Sequence, residues 1–244
     1  MRTGNPALNN NTFRVEYASS DAMTISGTVN KTAILLLMLT ITSIWSWKKV
    51  MTLGDISTMV PWMFGGMIVG LIFALITFFK KTAAPYTAPI YALAEGVFLG
   101  ALSAMMELKY PGIAFQAITL TFGTLFALLA VYKSGLINVT ENFKLGVAAA
   151  TGGIFLVYLA SFVMGFFGVS MPYIHGSGLM GIGFSVFVII IAALNLVLDF
   201  DFIEEGAKRG APRYMEWYAA FGLLVTLVWL YIEILRLLSK LRSR

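Results

Sequence analysis

Residues 178–199 read GLMGIGFSVFVIIIAALNLVLD, a run with no charged side chain before its last residue, Asp199. About 20 apolar residues suffice for a helix to cross the hydrocarbon core of a bilayer. A backbone in lipid must satisfy its own N–H and C=O groups, and a helix does so within one segment. The same reading extends outward to 32–47, 60–79, 86–105, 113–132, 146–168 and 217–238. Strands of a membrane barrel would be far shorter and would alternate in polarity. The expected fold is therefore an all-α integral membrane bundle of seven transmembrane helices over 31–244, preceded by a polar tail over 1–30.

Composition agrees. Of 244 residues, 59% are hydrophobic and only 12% charged, against about a quarter charged in an ordinary soluble domain. The absence of cysteine excludes disulfides, thiol catalysis and thiolate metal sites. The single histidine, His175, rules out His-rich zinc or haem centres, and its Gly/Pro/Tyr-rich loop suits an interface better than catalysis. The net charge of +5 comes from Lys and Arg in short loops and at the C-terminus. There they orient the chain and meet anionic lipid, so no nucleic acid partner is expected. The first thirty residues hold Asn, Ser and Thr but no apolar stretch, so no signal peptide is expected and the first hydrophobic run reads as a retained span.

The breaks between runs are physically punctuated. Pro61 can open the second helix, where its missing N–H costs nothing. Pro85 and Pro89 bracket the start of the third, and Tyr110-Pro111-Gly112 separates it from the fourth. The sixth–seventh connection, Phe200 to Tyr214, is the most charged stretch and reads as a loop, leaving Asp199 at the last turn of its helix. Lys and Arg favour the side holding the tail, Lys80, Lys81, Lys133, Lys144 and Lys208 over the side holding Lys48, Lys49, Lys109 and the C-terminus. By the positive-inside rule the N-terminus is expected in the cytoplasm. Gly66 and Gly70, and the ridge Ala88, Ala92, Gly96 and Gly100, have the four-residue spacing that lets helices approach closely in lipid.

No catalytic pattern is present: neither Gly-x-Ser-x-Gly, nor His-Glu-x-x-His, nor a phosphate-cradling Gly-Lys-Ser/Thr loop. An enzyme is not expected. The informative residues are acids inside the apolar runs. Glu95 lies halfway along the third, with no charge within ten residues on either side. An acid at that depth costs at least ~2.5 kcal/mol to insert and is expected to face the bundle interior; a protonated, hydrogen-bonded core residue is the structural alternative. Asp199 follows Asn195 by one turn, so both share a face. Glu233 and Arg236 can pair within the last helix, and Glu216 suits the positive N-terminal end of that helix.

The segments NLVLDFDFI (195–203) and LYIEILRLL (230–238) resemble the last two helices of the Bax inhibitor (TMBIM) family, its bacterial branch in particular. The seven-helix pattern is similar from about Asn30 onward. The resemblance implies six helices around a central last one and a pH-sensitive calcium leak. It further implies a closed pore in which two aspartates on the last two helices share a proton, joined by a basic residue after the second helix. Asp199 matches the first aspartate, and Lys80 or Lys81 the basic residue. Counting back from Arg236 puts the second at Thr226, with no acid nearby. Glu95, Glu216 and Glu233 are the other carboxyls available to Asp199, Glu95 being the deepest.

The leading expectation is a calcium-conducting leak gated by these carboxyls, since two interacting acids in low dielectric titrate as a pair and ionised carboxylates are hard ligands for Ca²⁺. Asp199 and Glu95 are the candidate Ca²⁺ or proton site; Asn195, Lys80, Lys81, Glu233, Arg236 and Glu216 are candidate gating residues. No cofactor is expected beyond Ca²⁺ as a permeant or bound ion. The alternative is a non-conducting regulator of a membrane protease or secretion complex, acting through the tail or the 200–215 loop. A proton-coupled transporter for a small solute ranks third. The expected partners are the bilayer, Ca²⁺ and protons, and the expected location is a bacterial cell (inner) membrane.

Overall fold

A computed structural model describes residues 21–53, 57, 60–168 and 176–243; the tail 1–20 and His175 lie outside the described residues. Among those described, seven helices are long and apolar enough to cross a membrane. They are α1 (Ile25–Leu53), α2 (Val60–Phe79), α3 (Ala84–Lys109), α4 (Ile113–Lys133), α5 (Glu141–Phe166), α6 (Leu179–Lys208) and α7 (Met215–Arg242). A 3₁₀ turn, Lys81–Ala83, joins α2 to α3. Large apolar side chains such as Phe126, Phe155 and Phe166 point outward, which lipid tolerates and water does not.

The helix boundaries depart furthest from the sequence reading in two places. The first helix begins at Ile25 rather than 32, because Thr24 caps it: the Gly27 N–H donates to Thr24 Oγ1 at 2.9 Å. The sixth continues nine residues past Asp199, to Lys208. The first nine residues of the charged stretch read as a loop are helical, carried into the aqueous boundary by Glu204–Lys208 and Glu205–Arg209 ion pairs at i,i+4 spacing, and only 209–214 form the connection. Asp199 is therefore a mid-helix residue, not a helix-end one.

The last helix is central. It packs against α1, α3, α4 and α6, and α5 reaches it through Tyr158. Leu224, Leu227 and Leu230 fill the space between these elements. The second spine is α3, and its small residues make the close contacts. Gly96 lies against the Leu39 carbonyl and Thr42 Oγ1 of α1, and Gly100 against the Ser43 carbonyl. Gly66 of α2 lies against the Ala94 carbonyl. Ser43 and Ser46 donate to the carbonyls of Gly96 and Val97 at 3.0 and 2.8 Å, cross-links possible only because the backbones approach so closely.

At one end, the segment before α1 is sewn to the α6–α7 turn. Met23 N–H donates to the Ala211 carbonyl and Arg213 N–H to the Asp21 carbonyl, at 2.7 and 2.8 Å. Ala22 and Pro212 form an isolated antiparallel bridge there.

Candidate functional site

Asp199 points from α6 into the α6–α7 interface. Its carboxyl meets the hydroxyl of Thr226 and faces Gly222, where a Cβ would stand 3.9 Å from Oδ1. Thr226 Oγ1 in turn bonds the Gly222 carbonyl at 3.2 Å. Asp199 Oδ2 is buried and has no hydrogen-bond partner among the described residues. Thr226 is the position reached by counting back from Arg236, so the chain sets a hydroxyl, not a second carboxyl, opposite Asp199.

Helix geometry makes this contact narrow. Gly222 and Thr226 are one turn apart on α7, so both face the same stripe of α6. Gly222 has no side chain to shield the carboxyl, and Thr226 supplies the hydroxyl that meets it. Its one hydrogen cannot serve both the Gly222 carbonyl and Asp199. With Asp199 protonated, its O–H donates to Thr226 Oγ1 while the Thr226 O–H donates to the Gly222 carbonyl. With Asp199 ionised, one acceptor always goes short.

The other acids go elsewhere. Glu95 faces α2, its Oε2 within 2.9 Å of where a Cβ on Gly70 would stand. No hydrogen bond or charge interaction joins it to Asp199 among the described residues. Asn195, one turn before Asp199, turns toward α5 and donates to Thr151 Oγ1 at 2.8 Å. Lys81 lies 5.3 Å from the Tyr218 ring, one turn before Gly222 and hence at the same end of the bundle as Asp199. Lys80 follows the last residue of α2, its N–H donating to the Ile76 carbonyl.

Glu216 is buried in the first turn of α7 and caps α1 rather than its own helix. It accepts from both the N–H and the hydroxyl of Thr24, each at 2.9 Å, and pairs with Lys31. In a capping box the residue at N3 reaches back to the N-cap N–H. Here N3 is Gly27, and a Cβ there would collide with the Glu216 carboxylate. A glutamate from another helix thus occupies the place of the missing side chain.

Glu233 is fully buried. Its Oε1 accepts from Tyr158 Oη at 2.8 Å and from Arg236 at 3.0 Å, while Oε2 has no partner among the described residues. Arg236 also donates to Tyr158 Oη at 2.7 Å. One turn on, Lys240 donates to the Gly181 carbonyl and Ser185 Oγ of α6, at 2.8 and 2.9 Å. The parts that Tyr158, Lys31 and Lys240 play were not anticipated. Lys240 carried a signal: it stands one turn after Arg236 and two after Glu233, on one face of α7. Tyr158 and Lys31 carried none, since their partners lie far away in sequence.

No group of three or more His, Cys, Asp or Glu that could hold a metal occurs among the described residues. A carboxylate beside a hydroxyl and the Gly222 carbonyl offers hard oxygen donors, too few for a tight calcium site. The family model described as Bax inhibitor 1 like matches residues 5–243. No curated protein and no solved structure matches the chain.

Proposed function

We propose that this chain, which belongs to the Bax inhibitor 1 like family, is a cation leak, conducting calcium, whose closed packing is held by protonated Asp199. Protons and Ca²⁺ are its ligands, and its setting is a bacterial cell membrane with the N-terminus in the cytoplasm. The observation that carries this reading is the buried, unpartnered Oδ2 of Asp199 at the α6–α7 interface.

Burying an ionised carboxylate without partners is far more costly than burying the neutral acid. The protonated form completes the chain Asp199 to Thr226 to Gly222 and suits a dry, closed interface. Loss of the proton leaves a charge that only water or a cation can satisfy. Ionisation therefore favours a packing in which α6 and α7 part enough to admit them. In that packing the carboxylate and the Thr226 hydroxyl lower the barrier to a hard cation, weakly enough for it to leave again. The sign follows: flux is low at acid pH and rises as pH rises.

Calcium-indicator flux into proteoliposomes, measured from acid to alkaline pH, tests this. Wild-type protein is expected to show flux that climbs with pH. Asp199→Asn, which cannot ionise, is expected to flatten the profile at the low level. An unchanged profile in Asp199→Asn refutes the gate. Absence of flux at every pH refutes conduction and favours a non-conducting regulator of a membrane complex.

A further inference from the structure

Between α1 and α4 the bundle is open sideways. A cavity of about 580 Å³ lies there, floored by α3 and α7. Leu39, Ile44, Ile118, Phe122 and Leu227 represent its lining, which is overwhelmingly apolar. The few hydroxyls in the wall have their hydrogens engaged: Thr40 with the Leu36 carbonyl, Ser43 with the Gly96 carbonyl and Thr121 with the Ala117 carbonyl. Ser103 and Tyr231 bond each other at 2.6 Å. A water cluster needs several polar partners per molecule, and this wall offers few.

One end of the cavity differs. There the lining includes Trp47 and Lys48, an aromatic ring followed by a cation, the pair that marks a membrane–water boundary. Lys48 is exposed and has no ion pair among the described residues. From Lys48 the α1 wall runs down to Leu36, about 18 Å at the helical rise. That is close to the depth of one leaflet, half of a hydrocarbon core of about 30 Å.

We infer that this lateral cavity is a binding site for an anionic phospholipid, one acyl chain lying between α1 and α4 and the phosphate on Lys48. The lining matches a hydrocarbon chain, its length matches one leaflet, and the cation stands where the headgroup of that lipid would lie. The site is separate from Asp199, which faces the α6–α7 interface, and it holds whether or not the protein conducts.

The test uses the purified full chain equilibrated in vesicles of equal phosphatidylglycerol and phosphatidylcholine with identical tails, then extracted and examined by native mass spectrometry. Wild type is expected to retain one lipid per chain, phosphatidylglycerol over phosphatidylcholine by about fivefold, as one surface cation warrants. Lys48→Gln, at an exposed position that leaves the fold intact, is expected to bring that ratio near one. Ile118→Trp, which fills the cavity, is expected to lose most retained lipid of both kinds. Excess free glycerol phosphate is expected to displace none of it. No retained lipid in wild type, an unchanged ratio in Lys48→Gln, full retention in a folded Ile118→Trp, or displacement by glycerol phosphate each overturns the proposal.

Discussion

A single hydroxyl decides how Asp199 is held. Thr226 gives it one shared hydrogen where a second carboxyl would give a shared proton. Two substitutions separate these arrangements. Thr226→Val keeps the shape but removes the hydroxyl opposite the carboxyl. Its closed form loses both hydrogen bonds of the chain from Asp199 through Thr226 to Gly222, about 1–2 kcal/mol together, and flux at acid pH is expected to rise roughly five- to thirtyfold. Thr226→Asp creates a carboxyl pair, whose coupled titration spreads over two steps. Its flux–pH profile is expected to broaden relative to wild type, and a profile of unchanged width would show that the two side chains do not interact. The residues of this site were legible only in part. Counting along the last helix located Thr226, but the depth of Asp199 was hidden. The acids and bases after it resemble a loop in composition, and their i,i+4 pairing shows only once the helix is built.

At the level of the elements, α3 has the role that its small residues announced. Gly96 and Gly100 admit α1, while Gly66 and Gly70 of α2 admit α3. These ridges were readable because lipid offers no hydrophobic drive between helices, so close approach must be written into the sequence as missing side chains. What could not be read was which helix each ridge would meet, since spacing alone names no partner. Gly96→Leu would drive a branched side chain into the Leu39 carbonyl and Thr42 Oγ1, atoms of backbone and of a short, rigid side chain. The cost is expected to be at least ~2–3 kcal/mol, read as a lower melting temperature in detergent. Gly123→Leu on α4, where a Cβ meets nothing within 4 Å, is the control and is expected to melt with wild type.

For the whole molecule, the two ends of the bundle are fastened differently, and Asp199, the proposed gate, lies between them. One end is sewn by backbone bonds between the segment before α1 and the α6–α7 turn, reinforced by Glu216 with Thr24 and Lys31. Toward the other, α7 is tied to α5 through Glu233, Arg236 and Tyr158, and to α6 through Lys240. If α6 and α7 part at Asp199 as proposed, these fastenings must bend or hold, without being the proposed proton sensor themselves. Arg236→Met distinguishes a fastening from a sensor. It removes the cation paired with buried Glu233 while keeping the length of the side chain. Because Arg236 is itself one-third exposed, the loss is expected to be about 2–3 kcal/mol, below the ~3–5 kcal/mol of a fully buried pair. The melting temperature should fall, and flux should rise at acid and alkaline pH by a similar factor, leaving the midpoint of the pH profile in place. A moved midpoint with unchanged melting would overturn the role of Arg236 as a fastening.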